Sequence, residues 1–336
     1  MKIAIVGAGA IGGYVGAKLS LAGEQVTFLA RGANLEAIRG AGIKLMLRDG
    51  RELVASEVRA TADYAAAGAQ DLVIVAVKAH QLAAVARDLP KLLGPDTAIV
   101  TMQNGIPYWY FCGHGGAFEG RCLAAVDPEG LCLRQILPER VIGCVVYPAA
   151  VLVAPGVIQH IEGDRFPVGE LDGSMSERVR AVSACLVSAG FQSPVLDNIR
   201  AEIWLKLWGN LTFNPISALT RSTLAEICQY PPTRALAAAM MSEAQTVAGK
   251  LGITFRVPIE RRIAGAERVG HHKTSMLHDL EAGRAMETEA LLGAVVELAG
   301  MTQTRVPTLE AVYALATLLD RPQETVTAAP RGDRGH

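Results

Sequence analysis

An α/β domain built on a parallel sheet, followed by an all-helical domain, is the fold class this sequence predicts, and three observations predict it. Apolar runs of strand length alternate with helical segments as far as residue 195. Beyond that point only amphipathic helical periodicity remains, and a glycine-rich turn joins the first strand to the first helix. The 336 residues are also long for one hydrophobic core. The expected organisation is a first domain over 1–195, a helical domain over 196–322 and a polar, Gly/Pro-rich tail over 323–336 that is expected to be disordered.

Taken in order, Ile3 to Val6 reads as a strand that runs into Gly7-Ala8-Gly9-Ala10-Ile11-Gly12 and then into a helix through Leu19. Gly7 suits a sharp turn, Gly9 lets a pyrophosphate approach bare backbone, and Gly12 lets the helix lie close to its strand. GxGxxG is weak evidence alone, but between a strand and a helix it marks a Rossmann-type dinucleotide site, with Gly7, Ala8, Gly9, Ala10, Ile11 and Gly12 as cofactor-binding candidates. The next strand, Gln25 to Ala30, ends at Arg31, where NAD-binding folds usually carry an acid for the ribose hydroxyls. A guanidinium cannot accept those bonds but suits a 2′-phosphate, so Arg31 points to NADP(H). The alternative is a solvated Arg31 beside a site that takes NAD through other contacts.

Asn34 to Arg39 reads as a short helix, and Ile43 to Leu47 with Leu53 to Val58 as a hairpin around Arg48-Asp49-Gly50. Asp71 to Val77 is the continuous apolar run of a strand buried on both faces, and it ends at Lys78. Ala98 to Thr101 is the next strand, ending in Met102-Gln103-Asn104-Gly105. Ligands of doubly wound sheets lie beyond the carboxyl ends of the strands, which places Lys78 and Asn104 near a site; Asn-Gly also reads as a plain turn. Residues 107–140 hold four consecutive aromatics, Tyr108 to Phe111, and read as an insertion that packs on the sheet or rims a cleft. Val141 to Val146, Val157 to Ile161, Phe166 to Gly169 and Phe191 to Val195 are further strand candidates, with a helix over Ser176 to Ser188.

Helices are expected over Ile199 to Asn214, Thr233 to Leu251, Ile259 to Val269, Met286 to Leu298 and Leu309 to Leu318. The first is apolar around most of its circumference, yet Lys206, Asn210 and Asn214 recur at i, i+4 and i+8 and share one polar stripe. One Lys and two Asn on an otherwise buried helix suggest a wet cleft, where lost hydration brings a lysine's proton within reach of neutral-pH chemistry. The competing reading is a lysine snorkelling to the surface while the Asn side chains bond local backbone.

With 32 basic against 33 acidic side chains, no global field favours nucleic acid or an anionic membrane, and none is expected as a partner. The charge-free stretch 141–158 is interrupted by Pro148 and Pro155-Gly156 and reads as strand, turn and strand rather than a membrane span. Six cysteines without a CxxC pair fit free thiols and a cytoplasmic location, and Met1-Lys2 leads straight into the first strand with no targeting segment. Cys112, His114, Cys122 and Cys132 match no zinc spacing, so no metal is expected.

The glycines with Arg31, the Val77-Lys78 strand end, Asn104-Gly105, the Lys206, Asn210, Asn214-Pro215 helix, and Ser275-Met276-Leu277 followed by Asp279 and Glu287 together resemble the ketopantoate reductase (2-dehydropantoate 2-reductase) family over nearly the whole chain. The resemblance implies NADPH-dependent reduction of a 2-oxo acid, with 2-dehydropantoate converted to pantoate in pantothenate biosynthesis. It implies Lys206 as general acid and Glu287 as its charged neighbour, with Asn104, Asn210, Asn214 and Ser275 orienting the substrate. Lys78 and Ala150 match positions close to the cofactor, which Asn104 and Glu287 also reach. Two departures bear on the substrate: a further family Asn is replaced within Leu219-Thr220-Arg221-Ser222-Thr223-Leu224, and the insertion after Asn104 is long. The alternatives are a reductase of another branched or aryl 2-oxo acid, a related hydroxyacyl-CoA, 6-phosphogluconate or opine dehydrogenase, and a non-catalytic NADP-binding regulator. A homodimer is compatible with the reading.

Overall fold

The computed structural model describes residues 1–321, so the expected tail over 323–336 lies outside the described residues. Its strands are β1 (Lys2–Val6), β2 (Gln25–Leu29), β3 (Ile43–Met46), β4 (Glu52–Ala55), β5 (Arg59–Thr61), β6 (Gln70–Val75), β7 (Leu93–Thr101), β8 (Val141–Cys144), β9 (Ala149–Ala154), β10 (Val157–Glu162) and β11 (Val168–Glu170). Seven of them form one sheet in the order β11-β8-β7-β6-β1-β2-β5, parallel except for β11. β1 pairs with β2 on one side and β6 on the other, so the chain reverses direction across the sheet beside β1. Crevices at such reversals are where these sheets bind ligands. Ile3 to Val6 and Leu72 to Val75 are buried on both faces, which is why they read as unbroken apolar runs.

The expected hairpin exists as antiparallel β3 and β4, but it belongs to a second sheet, ordered β4-β3-β10-β9. That sheet packs on the first helix, Ala10–Leu21. The charge-free stretch 141–158 holds β8, β9 and the start of β10, and among the described residues no helix is long and apolar enough to cross a membrane. The expected strand Phe191 to Val195 is not formed as such. Only isolated bridges join Gln192 and Val195 to Arg165 and Val168, because Pro194 between them has no N–H to continue a ladder.

Of the two positions considered for the aromatic run, the structure shows it packed inward. Tyr108, Trp109, Tyr110 and Phe111 are all buried between the main sheet and the helical region. Trp109 Nε1 donates to Thr101 Oγ1 at 2.9 Å, and the buried guanidinium of Arg200 donates to the carbonyls of Tyr110, Leu171 and Cys112. Arg200 lies in the first turn of the helix Ile199–Thr220, so the insertion is tied directly to the element that carries Lys206.

That helix starts under an Asn198 cap, whose Oδ1 accepts from Ala201 N at 3.0 Å, and continues six residues past the expected end, through Pro215. Trp204, Leu207, Trp208 and Leu211 are buried; the helix packs against Pro231–Lys250 and Pro307–Asp320, with Trp208 Nε1 donating to the Met241 carbonyl at 2.8 Å, while Trp204 Nε1 donates to the Tyr110 hydroxyl at 2.7 Å. Two short helices, Leu224–Gln229 and Ser275–Glu281, add to the expected set. The segment expected as one helix over Met286 to Leu298 begins with a π-helical stretch, Glu289–Gly293, and continues as an α-helix to Met301. π-helical turns are rare and cluster at functional sites; this one starts two residues after Glu287.

Candidate active site

The glycine-rich loop leaves β1 at Gly7, whose φ of +97° no L side chain adopts readily, and a Cβ there would stand 2.7 Å from Val77 Cγ1. A Cβ on Gly12 would meet the Gly7 carbonyl oxygen at 2.0 Å, so these two glycines are demanded by the fold. Gly9 differs, since a Cβ built there meets nothing within 4 Å. Its bareness serves no packing purpose and leaves open space at the N-terminus of the helix Ala10–Leu21, where backbone N–H groups and the helix dipole favour an anion. A cavity of about 350 Å³ opens here, lined by Gly7, Ala8, Gly9, Arg31, Asn34 and Tyr64 among others. A phosphate-bearing dinucleotide therefore fits this cradle, with exposed Arg31 on its wall.

The second cluster forms where the carboxyl ends of the strands meet the helical region. Lys206 Nζ donates to Asn104 Oδ1 at 2.6 Å and to the Val146 carbonyl. Asn104 Nδ2 donates in turn to Glu287 Oε2 at 2.9 Å, and Glu287 Oε1 accepts from the Ala79 N–H at 3.3 Å. With an acceptor role on one side and a donor role on the other, the carboxamide of Asn104 has one consistent orientation. Burial pulls the Lys206 pKa down to about 8, against a partial upward effect of the Glu287 carboxylate. An amine so placed is cationic at neutral pH and within reach of releasing its proton.

Backbone geometry fixes this cluster. Gln103 Nε2 donates to the carbonyls of Val75 and Val77, tying the ends of β6 and β7 together beside Asn104. Gly105 has φ +83°, and a Cβ there would meet the Ala290 carbonyl oxygen at 2.2 Å. The same carbonyl, inside the π-helical stretch, accepts from Ile106 N at 2.9 Å. Asn104-Gly105 is thus a turn that locks the sheet to the segment carrying Glu287.

Asn210, one turn beyond Lys206, lines a small cavity with Asn104, Cys144 and Lys206. Buried Asn214 points Nδ2 at Ser275 Oγ, 3.5 Å away, and Ser275 is exposed in the first turn of its short helix. The stripe on the long helix therefore runs from Asn104 at one end to Ser275 at the other. Lys78 crosses to the helical region too, pairing with Asp279 and donating to the Ala285 carbonyl at 3.4 Å. Ala150 lies on β9, opposite His160 of β10, and lines neither cavity. The sequence reading missed the Ala79 N–H and the Val146 carbonyl, which carry no residue-type signal; it named Asp279 among the residues of the family resemblance but not its pairing with Lys78. Among the described residues no group of three or more His, Cys, Asp or Glu side chains is placed to hold a metal ion.

A Rossmann-type sheet with a glycine cradle, joined to a helical domain that contributes a half-buried lysine, defines a dinucleotide-dependent oxidoreductase. The family profile "Ketopantoate reductase PanE/ApbA" matches residues 3–173 and its C-terminal counterpart matches 198–320, and the chain belongs to the ketopantoate reductase family. It is 54% identical to the 2-dehydropantoate 2-reductase of Mesorhizobium japonicum, over 95% of this chain and 98% of that one. A solved Ralstonia solanacearum MolK2 protein, provisionally named a ketopantoate reductase, is 41% identical with a TM-score of 0.90, covering 95% of this chain and 97% of that one. The 2-dehydropantoate 2-reductase structure from Methylococcus capsulatus, 29% identical, superposes with a TM-score of 0.81 over 95% and 96% of the two chains.

Proposed function

We propose that this protein reduces 2-dehydropantoate to pantoate with NADPH, Lys206 supplying the proton. The observation that carries the reading is the Lys206-Asn104-Glu287 relay, which like the glycine cradle lies beyond the carboxyl ends of the parallel strands. When bound, the reduced nicotinamide supplies a hydride to the 2-oxo carbon. Negative charge then develops on the former carbonyl oxygen, where the Lys206 ammonium stabilises it and transfers its proton, giving the hydroxyl. Asn104 holds Nζ in place from the strand side. Glu287, one hydrogen bond further on, keeps the amine protonated more than burial alone would allow. Asn210, Asn214 and Ser275 offer amide and hydroxyl groups to the substrate's carboxylate and hydroxyl.

Preference for NADPH over NADH rests on Arg31, which lines the cradle and carries no carboxylate partner among the described residues. Six free cysteines suit a cytoplasmic setting, and a homodimer is compatible with the family reading. Loss of NADPH absorbance with 2-dehydropantoate beside a panel of branched and aryl 2-oxo acids tests the proposal. Highest kcat/KM with 2-dehydropantoate supports it, preference for another acid reassigns the substrate, and no turnover with any of them indicates a non-catalytic binder.

A further inference from the structure

The small sheet β4-β3-β10-β9 has no part in the reaction described above, yet it is held against the glycine-rich loop by one side chain. Asn34, in the helix Gly32–Ala41, donates from Nδ2 to the Ala8 carbonyl at 2.6 Å and accepts at Oδ1 from the Gly156 N–H at 2.7 Å. Ala8 lies within the loop, and Gly156, with φ +72°, forms the turn between β9 and β10. The two bonds assign the amide orientation without ambiguity and use its two ends on different elements. The small sheet also bears on the helix that follows the loop, through Ile158 of β10, whose Cδ1 would stand 2.7 Å from a Cβ on Gly13.

The consequence for the cradle follows from peptide geometry. The Ala8 carbonyl and the Gly9 N–H share one rigid plane and point in opposite directions. Anchoring the carbonyl to Asn34 therefore aims the Gly9 N–H away from Asn34, and among the described residues that N–H has no acceptor. It is one of the free donors at the helix N-terminus that an anion would use. We propose that Asn34 is a positioning residue for dinucleotide binding: braced by the β9–β10 turn, it sets the Ala8–Gly9 peptide so that the cradle is preorganised for the pyrophosphate. The inference rests on the dinucleotide reading and adds to it a role for the second sheet. Preorganised donors favour binding because the ordering cost has already been met in folding.

The test uses the full chain and NADPH itself, comparing the parent with Asn34→Ala and Asn34→Asp by direct titration, steady-state kinetics and thermal melting. Asn34→Ala is expected to weaken NADPH affinity about tenfold, the scale of one lost hydrogen bond, raising its KM while kcat at saturating NADPH holds. Asn34→Asp keeps the acceptor for the Gly156 N–H but cannot donate to Ala8. It is expected to melt close to the parent and still to bind NADPH at least as weakly as Asn34→Ala. An Asn34→Ala affinity within twofold of the parent overturns this inference alone, as does a pair of variants that lose melting temperature but keep affinity. A parent protein that binds neither NADPH nor NADH overturns the dinucleotide reading and this inference with it.

Discussion

The Asn104 carboxamide stands between Lys206 and Glu287, accepting from the Lys206 amine at 2.6 Å and donating to the Glu287 carboxylate at 2.9 Å. No direct ion pair links the lysine and the glutamate among the described residues, so Asn104 is the physical connection between them. Asn104→Ala removes an acceptor from a half-buried amine and a donor from a carboxylate. Leaving such groups unsatisfied costs about 1–3 kcal/mol, so kcat should fall roughly 10- to 100-fold with NADPH affinity changed far less. Stopped-flow single turnovers beside NADPH titration check this.

Gly9 and Gly12 should fail in different ways. Gly9→Ala puts a methyl where nothing lies within 4 Å, so the fold should tolerate it while NADPH binding is lost. Gly12→Ala places its methyl 2.0 Å from the Gly7 carbonyl, so the protein itself should be destabilised. Melting curves and NADPH titrations on both variants separate the two roles, and a stable Gly9→Ala that binds NADPH normally would contradict the cradle.

Arg31 should set the choice of cofactor. Arg31→Ala is expected to weaken NADPH by about 1–3 kcal/mol, the scale of charge-assisted hydrogen bonds, while NADH is hardly affected. Equal affinities for the two cofactors in the parent would contradict the assignment.

The pH profile should carry the signature of Lys206. A general acid must be protonated, so the reductive kcat should decline as pH rises through about 8, where burial places this amine. Glu287 acts to raise that pKa, so Glu287→Gln should move the alkaline limb to lower pH. Stability runs the other way. With the folded pKa below the ordinary 10.5, the unfolded chain binds more protons between about 8 and 10.5, and the lysine's contribution becomes more favourable as pH rises through that window. Kinetic pH profiles and denaturation of parent and Lys206→Ala across the same range test both signs.

What could be read from the sequence was what local geometry dictates. Gly7, Gly9 and Gly12 announce themselves because strand, turn and helix are adjacent in the chain, and the Lys206, Asn210, Asn214 stripe follows from helical period alone. Asn104 and Glu287 are 183 residues apart, and no periodicity relates them; the strand end drew attention to Asn104, and Glu287 came to notice through family resemblance alone. The Ala79 N–H and the Val146 carbonyl are backbone groups whose roles leave no trace in residue type. β9 went unforeseen because its residues do not alternate and Pro148 and Pro155 bracket it, and the strand expected at 191–195 failed at Pro194. The π-helical turn after Glu287 places the Ala290 carbonyl against Ile106, a tertiary contact that helical periodicity does not register.

The central claim is that Lys206 is the proton donor, and steady-state kinetics of purified Lys206→Ala with 2-dehydropantoate and NADPH test it most directly. The account predicts a loss of roughly 10² to 10⁴ in kcat, the usual contribution of a positioned general acid, with NADPH affinity barely changed. Lys206→Arg should recover little, since a guanidinium holds its proton at any accessible pH and presents a different shape. A Lys206→Ala enzyme with near-parental kcat would contradict the account and leave Lys206 a structural residue of the long helix.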